Sequence, residues 1–249
     1  MFVDARVTAN YELDYDRVKL AASGFLLYRS LLAVTEVEEL RMALAAVTKG
    51  QRSHGNRNLL RNCAAVRAVV SSPKIQQLLE PVLGPNPYPT RAVLFDKLPD
   101  ANWGVGWHQD LTVALAAQIN APGFSAWTTK DGVPHAQPPV QILEHMLFLR
   151  LHLDKSDAEN GTLTVLPGSH RHGRLPETAI PALLSETAAV VCEAEAGDVL
   201  ALRPLLLHMS RHSFRPSHRR VIQIEYSSVD LPAPLAWRED RIGTGFSTS

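Results

Sequence analysis

The 249-residue sequence has few cysteines, no net charge, no long apolar run and no internal repeat, and each shortage narrows what it can be. Two cysteines, Cys63 and Cys192, cannot build the disulfide framework of a small secreted scaffold, so a reducing compartment is expected. Lys+Arg and Asp+Glu both total 25, which leaves no field directed at nucleic acid or an anionic membrane. The longest apolar runs, around Met146–Leu149 and Leu205–Leu207, are far too short to span a bilayer. Asp4, Glu12, Asp14 and Asp16 stand where a secretory leader needs an apolar stretch, so a cytoplasmic protein is expected. No period of 20–50 residues marks a solenoid or propeller.

What is present is a chain able to bury a core. It is 45% apolar and 20% charged, outside the range of disordered chains, and its length suits one large domain. The first third reads helical. Thr35-Glu36-Val37-Glu38 has the form of a capping box, and Val37, Leu40, Leu44 and Val47 then recur on one helical face. Residues 59–71 continue in that style, and Ser72-Pro73 opens a helix that stops at Gly84. Gly24–Tyr28 is short, apolar and extended.

After Pro89 the texture turns to β. Arg91–Lys97, Val140–Leu153, Thr162–Leu166, Ala189–Ala194, Val199–Leu207 and Arg219–Ser227 read as strands, separated by turns such as Asn160-Gly161, Pro167-Gly168 and Gly197-Asp198. No βαβ pattern is present. The expected fold is mostly β with flanking α, a sandwich or jelly roll braced by N-terminal helices. Residues 112–139, with Pro122, Gly123, Trp127, Gly132, Pro134, Pro138 and Pro139, fit neither pattern and read as a long functional loop. The organisation expected is a single domain: helical support over 1–88, a β core over 89–228 with a lid at 112–139, and a C-terminal tail over 229–249.

Chemistry is suggested first by Trp107-His108-Gln109-Asp110. On an extended segment His108 and Asp110 project together, and an imidazole with a carboxylate suits a borderline divalent metal. Taken alone the pair is more often a surface histidine beside its neighbour. His208, after the apolar run Arg203-Pro204-Leu205-Leu206-Leu207, offers a third ligand at the end of that strand. Two histidines and one carboxylate on one face of a metal leave adjacent positions open, as in non-haem Fe(II) oxygenases. Arg219, 11 residues further on, opens the next strand; a hairpin return would bring it alongside the His208 strand, where its guanidinium could hold a carboxylate bidentately. The basic stretch Arg211–Arg220 has no second basic cluster or aromatic platform to support it and reads as a solvated hairpin.

These residues carry a resemblance. His108-x-Asp110, His208-x-Ser210 and Arg219, together with Glu159-Asn160-Gly161, Pro167-Gly168-Ser169-His170 and the turn Gly197-Asp198-Val199, resemble the motif set of the phytanoyl-CoA dioxygenase family. The likeness runs from about residue 12 to 228. It implies a double-stranded β-helix (a cupin-like jelly roll) and an Fe(II)/2-oxoglutarate-dependent dioxygenase that uses O2. By that resemblance His108, Asp110 and His208 would bind Fe(II) as the catalytic centre, and Arg219 would hold the far carboxylate of 2-oxoglutarate. Arg150, where relatives place a co-substrate-contacting tryptophan, and Lys97 are further cofactor-binding candidates. Relatives that halogenate lack the carboxylate ligand, so Asp110 favours hydroxylation or a related oxidation of a small organic molecule. The alternatives from other classes are a non-catalytic jelly-roll binding protein and a metal-dependent hydrolase or isomerase, which would leave Arg219 without a role.

Overall fold

The computed structural model describes residues 15–48, 57–98, 101–214 and 218–239. In chain order these form helix α1 (15–23), strand β1 (Phe25–Tyr28) and helices α2 (Val34–Thr48), α3 (Leu59–Asn62), α4 (Ala64–Val70) and α5 (Pro73–Leu83). Strands β2 (Tyr88–Asp96), β3 (Val105–His108), β4 (Val113–Ala114), β5 (Ser125–Lys130) and β6 (Val133–Gln137) follow, then helix α6 (Val140–Glu144). The remainder comprises strands β7 (Met146–His152) and β8 (Leu163–Val165), helix α7 (Ile180–Glu186), and strands β9 (Val190–Val191), β10 (Val199–Leu202), β11 (His208–Ser210) and β12 (Arg220–Ser227). The expectations for residues 1–14 and 240–249, and the tip of the basic stretch at 215–217, lie outside the described residues.

Two antiparallel sheets form the framework. The larger has the order β1-β10-β7-β12-β2 and the smaller β3-β11-β8-β9. From β7 onward the chain alternates between them: β7 in the large sheet, β8 and β9 in the small, β10 in the large, β11 in the small, β12 in the large. That alternation is the jelly roll expected from the sequence, and the helices brace it as expected.

Strand parity assigns each side of the large sheet its role. Ile222, Ile224 and Tyr226 of β12, Leu147, Leu149 and Leu151 of β7, and Ala92 and Leu94 of β2 point outward to Leu40, Leu44, Val66, Ile75 and Leu79 of the helical layer. The opposite parity, with Arg91 and Phe95 of β2, Arg150 of β7 and Gln223 and Glu225 of β12, faces a cavity between the sheets. Beside that cavity a second apolar cluster joins Phe148, Leu163, Val165, Leu200, Leu202 and Leu206. A strand with polar residues on one parity and aliphatic ones on the other fits a wall between a core and a site.

One turn holds β10 in place. The Asp198 carboxylate accepts hydrogen bonds from the backbone N–H of Ser30 (2.8 Å) and Glu195 (2.9 Å) and from the Arg29 guanidinium (2.7 Å). Gly197 has φ +95, and a Cβ there would meet Leu32 O at 2.7 Å, so the Gly-Asp pair is required by close approach as well as by conformation. Burial opposes ionisation of Asp198, but these donors outweigh it and hold its carboxyl below the usual range. Asp198→Ala should cost about 2–3 kcal/mol, because it removes three charge-assisted hydrogen bonds to a buried carboxylate. The contribution is in place above the unfolded pKa, about 3.9, and is lost as pH falls through the lower folded value. Urea unfolding of the two proteins across acid pH checks both statements.

The structure also corrects several expectations. The capping box is displaced: Ala33 is the N-cap of α2, and Glu36, not Glu38, reaches back to its N–H at 2.8 Å. Val140–Leu153 is not one strand, because Pro139 opens the short helix α6 before β7 begins at Met146. Val199–Leu207 also breaks, with Leu206 N–H bonded to Arg203 O at 3.0 Å in a turn through Pro204 that carries the chain from the large sheet to the small one. His208 therefore starts a strand rather than ending one. The Arg219 strand does not pair with it either: β12 pairs with β2 and β7, so Arg219 and His208 approach the cavity from opposite sheets. Residues 112–139 hold a three-stranded antiparallel sheet of order β4-β6-β5, anchored by buried Val113, Leu115, Phe124 and Ala136.

Candidate functional site

The three proposed ligands meet at the junction of two neighbouring strands. His108 ends β3, His208 opens β11, and the two are register partners, so their rings lie with centroids 4.2 Å apart. Asp110 follows two residues after His108 and turns its carboxylate between them, 3.9 Å from His108 Nε2 and 3.7 Å from His208 Nε2. One ligand atom from each residue lies within 4.8 Å of the others.

Backbone carbonyls set the chemistry of both rings. Nδ1 of His108 lies 2.8 Å from Gly106 O, and Nδ1 of His208 lies 2.8 Å from Leu206 O. A carbonyl can only accept, so each Nδ1 carries the hydrogen and each Nε2 keeps its lone pair directed at the shared space. Burial, more than any neighbour, pushes His208 down to about 4, so it is a neutral donor at physiological pH. Burial works against the Asp110 carboxylate, but His208, His108 and Arg150 together hold it ionised. Two imidazoles and one carboxylate converge, and this donor set fits a borderline divalent metal such as Fe(II).

Gln109, between two of the ligands, was not recognised from the sequence. Its amide donates to Gly173 O (2.8 Å) and Leu205 O (2.7 Å) and accepts from Leu175 N–H (2.8 Å). Asp110 N–H also bonds to Pro204 O at 3.0 Å. The His108–Asp110 segment is thus fastened to the turn that leads into His208, which explains how two distant segments keep ligand geometry.

Arg219 and Arg150 line the same cavity of ≈ 360 Å³ from the large sheet. Arg219 is 3% exposed and donates one bond, 2.6 Å, to Gly161 O, while its Nε has no hydrogen-bond partner among the described residues. Burial and then Arg150 lower its pKa to about 9, so it stays protonated at neutral pH. No carboxylate side chain pairs with it among the described residues. Arg150 donates to Gln223 Oε1 at 2.6 Å and lies 5.5 Å from the Phe95 ring centroid.

The Gly161 carbonyl anchors this side of the cavity. Gly161 has φ +75, and a Cβ there would collide with Arg211 O and approach the Lys97 Nζ at 2.6 Å. Lys97 is fully buried, donates to Gly161 O (3.3 Å) and Arg211 O, and is not among the residues lining the cavity. Arg220, with the opposite parity, points away and forks onto Asp154 at 2.8 Å twice. His152 shares the parity of Arg150 but is buried behind the cavity, with neither ring nitrogen hydrogen-bonded among the described residues. His170 holds Ala21 O of α1 at 3.1 Å and is structural.

The family model for phytanoyl-CoA dioxygenase (PhyH) matches residues 20–221. The chain belongs to that family. Peroxisomal phytanoyl-CoA dioxygenase of Rattus norvegicus is 27% identical over 200 residues, covering 74% of this chain and 50% of that protein, so the chain spans about half the length of this relative. Among solved structures, the non-heme alpha ketoglutarate dependent carbocyclase SnoK from nogalamycin biosynthesis superposes with TM-score 0.68 at 17% identity, over 87% of this chain and 84% of that one. EctD from S. alaskensis, solved with 2-oxoglutarate and 5-hydroxyectoine, gives 0.67 at 18% identity over 91% and 77%. The epimerase SnoN, in complex with Fe3+, alpha ketoglutarate and nogalamycin RO, gives 0.68 at 17% identity over 95% and 92%. These likenesses establish the shared fold. A carbocyclase and an epimerase share it at the same similarity, so the fold does not dictate the outcome of a reaction.

No helix among the described residues is long and apolar enough to cross a membrane. Cys63 and Cys192 are both buried and free.

Proposed function

We propose that the protein is an Fe(II)- and 2-oxoglutarate-dependent oxygenase that oxidises a small organic molecule in the cavity between its sheets. The observation that carries this reading is the convergence of His108 Nε2, His208 Nε2 and the Asp110 carboxylate, with both Nδ1–H groups engaged by carbonyls. Those three residues would hold the iron. The metal, with 2-oxoglutarate and O2, supplies the oxidising chemistry and releases succinate and CO2.

The remaining work falls to the chain itself. Arg219, a buried cation with no carboxylate partner among the described residues, receives the far carboxylate of 2-oxoglutarate; bidentate charge-assisted bonding suits a guanidinium better than an ammonium. Arg150, fixed by Gln223 and the Phe95 ring, adds positive charge beside it. Phe95, Trp103 and Leu163 exclude water from the cavity wall, which strengthens each of these interactions.

Anaerobic calorimetry tests the reading: one Fe(II) per chain, and 2-oxoglutarate binding that tightens when iron is present. A protein that binds neither would contradict it. A non-catalytic binder would take up both and release no succinate on exposure to O2 with any substrate.

The sheet formed by β4, β5 and β6 is read as the cover of the cavity. Thr112 and Lys130 at its edge line the cavity, while Val113, Phe124 and Ala136 pin its body to the core. Hydrogen exchange of the Fe(II)- and 2-oxoglutarate-bound protein, before and after loading with candidate substrates, should therefore split the segment. The hairpin tip around residues 128–133 gains protection on loading, and the anchored body is protected in both states. Equal, strong protection of the tip in both states would make the segment a fixed wall.

A further inference from the structure

The cavity has two cationic ends. Arg219, just before β12, and Val221, Gln223 and Glu225 within it share one parity, and Glu225 lies about 20 Å along the chain from Arg219 at roughly 3.3 Å per residue. Arg219 stands at one end, and Arg150, the register partner of Gln223, lies between the two ends. At the Glu225 end stand Arg91, Arg57 and Lys130, brought together from β2, the entry to α3 and the tip of β5.

The cations of the second end are unevenly balanced. Arg91 pairs with Glu225 at 2.9 Å, and Arg57 pairs with Asp131 at 2.6 Å. Lys130 forms no ion pair among the described residues and donates to the Thr112 hydroxyl at 3.4 Å. Burial and then the repulsion of Arg91 and Arg57 push the Lys130 ammonium below its usual pKa, and these two arginines outweigh the attraction of Asp110 and Glu225. Burial also raises the Glu225 carboxyl, which weakens its hold on Arg91, and Glu225 Oε2 has no hydrogen-bond partner among the described residues. Lys130 is thus the one cation of this group without an ion-pair partner among the described residues, and it stands beside Arg91 and Arg57 at the rim of the cavity.

We propose that the substrate is a small organic acid whose carboxylate or phosphate group docks between Lys130, Arg57 and Arg91 while its oxidisable carbon lies toward His108, Asp110 and His208. The inference rests on the reading above, which gives the Arg219 end to 2-oxoglutarate and leaves the Arg91 end to substrate. The cavity, ≈ 360 Å³, is of a size that takes small molecules. Lys130 sits on the cover rather than on the barrel, so an anion bridging Lys130 and Arg91 also ties the cover to the large sheet.

The test uses protein loaded anaerobically with Fe(II) and 2-oxoglutarate. Phenylacetate, phenyl phosphate and neutral phenethyl alcohol serve as probes, with binding read by calorimetry. Both anions should bind more tightly than the alcohol, and the tighter of the two identifies the head group. Lys130→Met should weaken the anions about tenfold or more, Lys130→Arg should restore them, and Arg57→Gln should weaken them less because Asp131 already engages Arg57. Anions that bind no better than the alcohol, or that bind Lys130→Met as tightly as the parent protein, would overturn the proposal. The affinity for 2-oxoglutarate, measured in the same samples, separates the two readings: a protein that prefers the anionic probes through Lys130 yet fails to bind 2-oxoglutarate contradicts the oxygenase reading and leaves the anion subsite standing.

Discussion

Replacing His208 by alanine is expected to abolish Fe(II)-dependent turnover while leaving the fold in place. His208 is 3% exposed, its Nδ1 is held by Leu206 O at 2.8 Å, and its Nε2 faces Asp110 at 3.7 Å. Among the described residues lining the cavity the one other carboxylate is Glu225, which Arg91 engages at 2.9 Å, and no third imidazole is present. The site loses one of three donors and with it most of its metal affinity. The fold does not depend on the metal in the way a zinc finger does, since apolar clusters pack on both sides of the large sheet. Circular dichroism should be unchanged, iron stoichiometry should fall well below one per chain, and succinate formation should drop to background. A His208→Ala protein that still binds iron and turns over 2-oxoglutarate would show that the metal is held elsewhere.

Arg219→Ala should produce the second large effect, and a different one. Truncating one partner of a buried charge pair costs about 2–5 kcal/mol, so the concentration of 2-oxoglutarate needed should rise at least about 30-fold. Iron binding should survive, because Arg219 approaches from the large-sheet side, just before β12, and the ligands from the small-sheet side at the end of β3 and start of β11. The neighbouring Arg220 cannot substitute, since it is turned to the other face and forked onto Asp154. Titration of 2-oxoglutarate against succinate release in parent and variant checks this. Unchanged affinity would move the clamp to Arg150.

The sequence exposed some of this design and hid the rest for identifiable reasons. His108 and Asp110 were legible because an i, i+2 spacing on an extended segment needs no tertiary information. Helix α5 was legible from Ser72-Pro73 and Gly84, which bound it in the structure as well. The sheet at 112–139 was not. Ser125–Lys130 has little apolar alternation because most of its residues are exposed, and the central strand β6 carries Pro134, which reads as a breaker. Pro134 is tolerated there with its carbonyl bonded to Leu115 N–H at 2.9 Å.

Long-range features were the least legible. The break between Val199–Leu202 and His208 falls at Arg203-Pro204 in an otherwise apolar stretch, and Leu205, Leu206 and Leu207 are buried in a turn as fully as they would be in a strand. Gln109 acts through carbonyls of residues 173 and 205, and its role becomes visible only when those segments are brought together. Arg57, Arg91 and Lys130 share no sequence pattern at all.

The most direct measurement is the yield of succinate from 2-oxoglutarate by the purified protein in air, with Fe(II) added or removed by a chelator. A panel of small organic acids and their neutral counterparts serves as candidate substrates. The site described here predicts Fe(II)-dependent succinate, accelerated by at least one substrate and formed in equal amount to the CO2 released. Iron bound at one per chain, 2-oxoglutarate bound beside it, and still no succinate with any candidate would contradict the assignment of an oxygenase.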